Sequence, residues 1–253
     1  MADFIEGKRA VVEALRTHVP LREIYMADNL KRDSLVEDIL RKAKRLEVPV
    51  KMVNKRFFDD KSERGSHQGV MAHPKPYSYA KLQEIIQKAQ NQYEEQGCAL
   101  VVVLDHITDA GNLGAIARSA EIIGAAGMII PNKRAARVTA ATYKSSAGAI
   151  SHLPVAQVSN VAQTLESLKK ADFWVAGATE KASDSIWDSN LRGRMALVMG
   201  NEEEGLARLT REHCDFLVKL PQFGEVGSLN VAQAACACMY EYLRQNFHGA
   251  HTK

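Results

Sequence analysis

The feature that most constrains the fold of this chain is a regular alternation of strand and helix patterns over residues 98–246. Short apolar runs such as 100-LVVVL-104 and 196-ALVMG-200 are typical of buried strands, and stretches of helical length separate them. Such an alternation favours a mostly parallel sheet with helices on both faces, so we predict an α/β fold. The strands are predicted at 99–105, 127–131, 153–157, 172–178, 195–200 and 215–220, and the helices at 112–124, 139–147, 160–171, 205–212 and 229–246.

Residues 1–76 form a second predicted unit, which also mixes helices and strands. Its length is about the minimum for an independent domain. The segment 77–97 is polar and helix-prone and ends in Gly97, so we predict a linker helix between the two units. Residues 247–253 are predicted to be a tail. Within the first unit, helices are predicted over 8–17, 33–47 and 54–60, and strands over 22–27, 48–53 and part of 65–76.

The first unit is more basic than the rest of the chain. Residues 1–76 contain 16 of the 33 Lys and Arg residues, but only 12 of the 30 Asp and Glu residues. An excess of positive charge on one unit fits a polyanionic partner. A solvated basic surface would give the same composition, so charge alone leaves both interpretations open.

No segment has the composition of a membrane span or of a metal site. The apolar runs are far shorter than the roughly 18 residues of a membrane-spanning helix. The N-terminal stretch MADFIEGKRAVVEAL lacks the apolar core of a signal peptide, so we predict a cytoplasmic protein. The cysteines, none of which forms a C-x-x-C pair, are Cys98, Cys214, Cys236 and Cys238. We therefore expect neither a bound metal nor a disulfide.

A pair of glycines lies where the first buried strand of the second unit gives way to a helix. In 105-DHITDAGNLGAIARSAEIIGA-125, Gly111 and Gly114 flank Asn112, and Arg118 follows on the predicted helix. A dinucleotide site would need G-x-G-x-x-G and an acidic residue about 20 positions later, but the corresponding stretch here reads NKRAAR. The Walker loop and the nucleophile elbow are also absent. A nicotinamide enzyme is therefore a weak alternative.

Three further stretches place small and polar residues at predicted strand ends. Small-molecule sites in open α/β sheets lie at the carboxyl ends of the strands. Met199, Leu220 and Leu229 would bring apolar surface beside backbone polar groups, which suits a flat, uncharged ring of the adenine type better than a pyrophosphate. The three stretches are 175-VAGATE-180, 196-ALVMGNEEEGL-206 and 217-LVKLPQFGEVGSLNVAQA-234.

The order of three motifs resembles that of a known family. The motifs 112-NLGAIAR-118, 198-VMGNEEEGL-206 and 220-LPQFGEVGSLNVA-232 are similar to those of the SpoU, or TrmH-like, ribose 2′-O-methyltransferases of the SPOUT superfamily. In addition, 6-EGKRAVVEAL-15 and 67-HQGVMA-72 resemble the substrate-binding domain, similar to an L30e-type ribosomal protein, that precedes the catalytic domain in one branch. The resemblance covers nearly the whole chain, with the catalytic domain at 98–246.

The resemblance implies a deep trefoil knot in the catalytic domain, which binds S-adenosylmethionine mainly through backbone groups. It also implies methyl transfer to a ribose 2′-hydroxyl in RNA, without a metal, by a homodimer whose active site lies near the interface. The residues that match the cofactor-binding positions are Ala178, Thr179, Met199, Gly200, Leu220, Ser228, Leu229 and Asn230.

The same resemblance implies catalytic roles for residues of all three motifs, namely Asn112, Arg118, Glu202, Ser228 and Asn230. Arg118 would either activate the hydroxyl as a base or act as a positive clamp, and both remain open because a guanidinium normally keeps its proton. Asn112 would orient that guanidinium, and Glu202 would accept a hydrogen bond from it or from the hydroxyl. Ser228 and Asn230 would hold the loop and the nucleotide.

Several positions depart from the family pattern. Glu203 stands where a small residue is common after the motif glutamate, Ala232 stands where a serine is common, and Ser151 stands where related proteins often carry an acid. None of these departures removes a catalytic candidate, so an active enzyme stays the favoured interpretation. The departures bear mainly on which RNA is the substrate. His106, next to the first motif, is interpreted as a turn residue.

The leading hypothesis is 2′-O-methylation of a guanosine in 23S ribosomal RNA, because the two-domain layout resembles that branch of the family. A tRNA ribose methyltransferase is an alternative, since the same catalytic core serves both substrates. An RNA-binding protein without catalysis is a third interpretation, which the intact pair of Asn112 and Arg118 disfavours. We expect substrate choice to depend on residues 1–76 and on the basic residues Lys133, Arg134 and Arg137.

Overall fold

The computed structural model describes residues 4–62 and 66–246. These residues form a mixed four-stranded sheet in the first unit and a six-stranded sheet, with every pairing parallel, in the second. The predicted α/β fold with a parallel sheet is thus confirmed. The predicted tail at 247–253 lies outside the described residues.

The first unit packs three helices against its sheet. Its strands are β1 (Ile5–Glu6), β2 (Leu21–Ala27), β3 (Val50–Val53) and β4 (Val70–Pro74), and its helices are α1 (Lys8–Arg16), α2 (Ser34–Arg45) and α3 (Lys55–Lys61). The strand order is β1–β4–β2–β3, and only β2 and β3 run parallel among these pairs. Asp33 caps α2 by accepting a hydrogen bond of 2.9 Å from the Val36 N–H. The two-residue strand β1 is too short to show a sequence pattern, and our prediction missed it.

The second unit is built on a central strand whose side chains alternate between two cores. Its strands are β5 (Ala99–Leu104), β6 (Gly127–Pro131), β7 (Val155–Val158), β8 (Trp174–Ala178), β9 (Arg194–Met199) and β10 (Phe216–Val218), in the sheet order β10–β8–β9–β5–β6–β7. All six match predicted strands. Leu100, Val102 and Leu104 point into one core, and Val101 and Val103 point into the other.

Helices cover both faces of this sheet. They are α4 (Leu82–Gln96), α5 (Ala110–Ile122), α6 (Ala140–Ser145), α7 (Val161–Lys169), α8 (Arg208–Glu212) and α9 (Val231–Asn246). Residues of α5 and α9 contribute to one core, and residues of α4 and α7 contribute to the other. In the described part of the chain, no helix combines the length and apolarity needed to cross a membrane.

The helix predicted as a linker also covers the larger sheet. Ile85, Ile86 and Ala89 of α4 are buried in the core that α4 shares with α7. The contact is tight, because a Cβ atom added at Gly127 of β6 would lie 2.8 Å from Ile85. The helix α4 is therefore a layer of the second unit as well as the connection to the first.

The two units touch through α1 and the region that follows α6. Gly148 has a φ of 91°, and a Cβ atom there would lie 3.0 Å from the Thr17 carbonyl oxygen. One hydrophobic core cluster includes both Leu15 of α1 and Tyr143 of α6. The trefoil knot that the resemblance implies stays a prediction.

The glycines of the first motif lie inside a helix rather than in a loop. We predicted that this helix begins at residue 112, but α5 begins at Ala110 after an Asp109 cap. A Cβ atom at Gly114 would lie 2.6 Å from the Thr142 carbonyl oxygen and 2.9 Å from the Ser146 nitrogen. Gly114, which lies within the predicted helix 112–124, is therefore required for the close crossing of α5 and α6, whereas Gly111 lies inside the helix rather than before it.

Candidate functional site

A cleft opens at the carboxyl ends of three neighbouring strands, β10, β8 and β9. It is open to solvent, and its cavity volume is about 100 Å³. Seven of the eight residues predicted to bind the cofactor line it: Ala178, Thr179, Met199, Gly200, Leu220, Ser228 and Leu229. The eighth, Asn230, lies next to Leu229 at the start of α9.

Three small apolar residues of α9 form a wall of the cleft that our prediction did not include. Val231, Ala234 and Cys238 recur at helical spacing, and this pattern was the available signal. Cys238 is only 1% exposed. Burial raises the pKa of its thiol to about 12, so the side chain stays neutral and acts as an apolar surface.

In the turn after β9, the backbone of residue 205 lies so close to residue 200 that only glycine fits at position 200. A Cβ atom at Gly200 would lie 2.7 Å from the Gly205 carbonyl oxygen. Asn201 and Gly205 exchange two backbone hydrogen bonds, at 2.9 and 3.0 Å, and close the turn. The turn therefore holds Glu202 at the mouth of the cleft.

Three of the five predicted catalytic residues form one hydrogen-bonded cluster. The Asn112 Nδ2 donates to Glu202 Oε1 at 2.8 Å, and the Asn230 Nδ2 donates to Asn112 Oδ1 at 3.0 Å. Asn230 also caps α9, since its Oδ1 accepts a hydrogen bond from the Ala232 N–H at 2.9 Å. The cluster thus joins the first turn of α5, the turn after β9 and the start of α9.

Arg118 does not join this cluster. It lies six positions beyond Asn112 on α5, which places it about 9 Å further along the helix axis and on another face. Its side chain is exposed, and it makes no hydrogen bond or ion pair within residues 4–62 and 66–246. The prediction that Asn112 orients the Arg118 guanidinium is not met in this chain, because the Asn112 amide is bonded to Glu202 and Asn230.

Ser228 lines the cleft, but it makes no hydrogen bond with another described residue. It belongs to the segment 222–230, whose residues are all exposed. The structure therefore places the exposed Ser228 side chain in the lining of the cleft.

A second cavity adjoins the cleft on the other side of Glu202. Its lining includes His106, Asn112, Arg134, Asn201 and Glu202, of which Asn201 and Glu202 also line the cleft. The Asn201 Nδ2 donates to the His106 carbonyl oxygen at 2.7 Å, which ties the turn after β9 to the turn after β5. The site thus consists of a partly apolar cleft and a polar cavity with a shared wall.

The carboxylate of Asp105 forms hydrogen bonds with residues on both sides of the shared wall, namely His106 and Ala207. It is buried, and its Oδ2 accepts a hydrogen bond from the Ala207 N–H at 2.8 Å. Asp105 was not among the predicted site residues, although an acidic residue directly after a fully apolar strand was a signal. Within the described residues, no group of three or more His, Cys, Asp or Glu side chains is placed to hold a metal ion.

Comparison with protein families agrees with the motif order. A model described as the SpoU rRNA Methylase family matches residues 99–240, which is more than half of the chain. The chain belongs to this family. A second model, described as RNA 2′-O ribose methyltransferase substrate binding, matches residues 4–80 of this SpoU family member. The family resemblance drawn from the sequence is therefore confirmed for both units.

Two relatives of this SpoU family member match it over nearly their whole length. The putative TrmH family tRNA/rRNA methyltransferase YacO of Bacillus subtilis (strain 168) is 37% identical over 243 residues, which is 96% of each chain. The 23S rRNA (guanosine-2′-O-)-methyltransferase RlmB of Photobacterium profundum is 38% identical over 247 residues, which is 96% of this chain and 98% of that one.

A solved structure supports the fold. The SpoU methyltransferase AviRb from Streptomyces viridochromogenes, determined in complex with AdoMet, matches with a TM-score of 0.69 and 24% identity. The match covers 97% of this chain and 91% of AviRb. At this identity the similarity shows a shared fold, including the parallel sheet whose strand ends form the cleft.

Proposed function

We propose that this SpoU family member transfers a methyl group from S-adenosylmethionine to the 2′-hydroxyl of a ribose in RNA. The observation that carries this proposal is the cluster of Asn112, Glu202 and Asn230 at the mouth of the cleft, where a cofactor and an RNA ribose can meet. The family match over residues 99–240 supports the reaction type. We further propose residues 1–76 as the RNA-binding unit, 77–97 as its connection and 98–246 as the catalytic unit.

The cleft suits S-adenosylmethionine. Its apolar lining, which includes Met199, Leu220 and Leu229, fits an adenine ring beside the backbone groups of the strand ends. Glu180 and Glu202 also line it, and their carboxylates would attract the positive charges of this cofactor. When bound, S-adenosylmethionine supplies a methyl group on a sulfonium, which is already a reactive electrophile.

The chain's own residues would align the hydroxyl with that methyl group. In-line alignment supplies much of the barrier reduction in such a transfer. Asn112 fixes the Glu202 carboxylate by the hydrogen bond of 2.8 Å, so that Glu202 can accept a hydrogen bond from the ribose at a defined position. Asn230 holds Asn112 from the other side at 3.0 Å. Ser228, in the cleft lining, would bind the cofactor or the nucleotide.

We propose a homodimer as the active form. The segment after β10 exposes apolar side chains beside the cleft, since Phe223 is 100% exposed and Val226 is 80% exposed. Exposed apolar side chains that together form a contiguous patch mark interaction sites. A second copy that covered this segment could also bring its own Arg118, which is exposed and makes no ion pair with the described residues, to the site as a positive clamp for RNA.

We propose that the substrate is a guanosine of 23S ribosomal RNA. RlmB of Photobacterium profundum, named for that reaction, is 38% identical over 96% of this chain and supports this choice. YacO of Bacillus subtilis is named more generally as a tRNA/rRNA methyltransferase, so tRNA is the competing substrate. The basic residues Lys133, Arg134 and Arg137 are all exposed and suit contacts with RNA phosphates.

The proposal is tested by incubating the protein with S-adenosylmethionine carrying a tritiated methyl group and with total RNA from a strain that lacks the gene. The labelled RNA is separated by size. We expect label in 23S ribosomal RNA that resists alkaline hydrolysis at a single nucleotide step, which is the signature of ribose methylation. Label in tRNA would support the proposed methyl transfer but contradict the proposal that 23S ribosomal RNA is the substrate. Bound cofactor without any label would favour an RNA-binding protein without catalysis.

A further inference from the structure

The second cavity is the larger of the two, and its lining carries mostly negative charge. Its volume is about 620 Å³, within the roughly 300–1,000 Å³ of small-molecule sites. One cation, Arg134, lines it together with four carboxylates, namely Asp109, Glu202, Glu203 and Glu204. Because this excess of negative charge repels phosphate groups, the cavity suits an uncharged part of a nucleotide, which is the base.

The turn that carries Glu203 and Glu204 is fixed by the side chain of Asn201. The Asn201 Oδ1 accepts hydrogen bonds from the backbone N–H groups of Glu203 and Glu204, at 2.9 and 3.2 Å. The Asn201 Nδ2 also donates to the His106 carbonyl oxygen at 2.7 Å. One side chain therefore sets the position of this turn against the segment after β5, and residues of both segments line the cavity.

The four carboxylates differ in how free they are to bind a ligand. The Asp109 Oδ1 caps α5 by accepting a hydrogen bond of 2.7 Å from the Asn112 N–H, and Glu202 accepts one from the Asn112 amide. Glu203 stands where a small residue is common in the family, so a base preference shared with relatives does not depend on it. The Glu204 side chain is exposed and makes no hydrogen bond or ion pair with the described residues. Glu204 is therefore the carboxylate best placed to bind a ligand.

We propose that the second cavity receives the base of the target nucleotide and that the Glu204 carboxylate selects guanine by accepting hydrogen bonds from its N1–H and N2–H groups. This inference rests on the proposed function. A carboxylate only accepts hydrogen bonds, and its two oxygens lie side by side. Guanine is the RNA base with two neighbouring donors on its Watson–Crick edge, the edge by which unstacked bases are read. Adenine and cytosine have one amino donor beside an acceptor nitrogen, and uracil has one donor between two acceptors.

This placement of the base agrees with the roles of the neighbouring residues. Asn201 and Glu202 form the wall between the second cavity and the cofactor cleft, so a base in the cavity brings its ribose to that wall, next to the methyl group. The exposed Arg134, at the same cavity, suits the phosphate of this nucleotide. Glu204 selects the base and takes no part in activating the 2′-hydroxyl.

The test compares guanosine with inosine, which lacks only the N2 amino group. Two 23S ribosomal RNA fragments are assembled by ligation, with guanosine or inosine at the position that the tritium experiment labels. We expect the wild-type kcat/KM to be about 10- to 100-fold lower with the inosine RNA, because one hydrogen bond to a charged group is lost. In Glu204→Gln, kcat/KM for the guanosine RNA should fall by a similar factor, and the ratio between the two RNAs should be close to one.

Glu203→Gln is the matched control, since it removes the same charge from the same turn and should keep the wild-type ratio. Calorimetry should show that Glu204→Gln binds S-adenosylmethionine like the wild type, because Glu204 does not line the cofactor cleft. Equal wild-type rates on the two RNAs, or an unchanged ratio in Glu204→Gln, would overturn the inference. The same loss of discrimination in Glu203→Gln would also overturn it. If the wild type methylates neither RNA, the proposed function itself fails.

Discussion

Asn112 and Glu202 lie 90 positions apart in the chain, yet the amide of one donates a hydrogen bond of 2.8 Å to the carboxylate of the other. Asn230 closes the cluster by donating to the Asn112 carbonyl oxygen at 3.0 Å. The three motifs that define the family in the sequence therefore meet through these three side chains. Because Asn112 lies in the first turn of α5, Glu202 in the turn after β9 and Asn230 directly before α9, the cluster forms only when these three elements are correctly packed.

The Asn112→Asp variant should disable the site with little effect on the fold. The new carboxylate cannot donate to Glu202, and it places a second negative charge beside it. Loss of a hydrogen bond to a charged group costs about 1.5–3 kcal/mol, so we expect cofactor affinity or methyl transfer to fall by at least about tenfold. Calorimetry with S-adenosylmethionine and a methyl-transfer assay measure the two effects.

The control for this variant is Asn190→Asp, at an exposed asparagine whose side chain only accepts a hydrogen bond from the Arg192 N–H, at 3.1 Å. It adds the same charge away from the cleft and should leave binding and transfer unchanged. Near-normal transfer by Asn112→Asp would show that the cluster is not part of the catalytic machinery.

The Gly114→Ala variant should destabilise the second unit. A Cβ atom would lie 2.6 Å from the Thr142 carbonyl oxygen, so α5 and α6 would have to separate. Overpacking of this kind costs about 1–3 kcal/mol, which exceeds the gain of about 1 kcal/mol in helix propensity. Urea unfolding should show a lower midpoint. Gly111→Ala, in the same helix, would meet only the Asp109 carboxylate, at 2.9 Å, which caps α5 by accepting from the Asn112 N–H, so we expect it to cost less than Gly114→Ala.

Replacing Lys133, Arg134 and Arg137 with Gln should weaken RNA binding in a salt-dependent way. All three are exposed, and removal of each phosphate contact should reduce the slope of log affinity against log salt by roughly 0.7–0.9. Binding of S-adenosylmethionine should not change. The exposed Lys170, which precedes β8 and so lies at the opposite edge of the sheet, provides a control as Lys170→Gln. An equal loss of affinity for Lys170→Gln would refute a local RNA contact.

Stability should fall at acidic pH partly through Glu241. The Arg244 guanidinium, which donates two hydrogen bonds of 2.8 Å, lowers the pKa of this buried carboxyl below its usual 4.5. A lowered pKa means that the stabilisation is present above about pH 4.5 and is lost as the pH falls through the lower, folded-state value. Glu241→Gln should therefore cost about 1 kcal/mol at pH 7 and less at about pH 3. Equal stability differences at both pH values would contradict this assignment.

The sequence predicted the sheet well because each strand is a short apolar run between turn residues, as at 100-LVVVL-104. It predicted the cleft because the carboxyl ends of parallel strands must meet at one edge. It did not reveal that Gly114 serves the crossing of α5 and α6, or that Asp105 is bonded to both His106 and Ala207. Hydrophobic patterns report which side chains are buried, but they do not report which distant polar groups become neighbours.

The most direct test of the account is mass spectrometry of the nucleosides from 23S ribosomal RNA incubated with the protein and S-adenosylmethionine, with the Asn112→Asp variant run in parallel. We expect 2′-O-methylguanosine in the wild-type reaction and little or none with the variant. A methyl group on a base, or equal 2′-O-methylguanosine with both proteins, would contradict it.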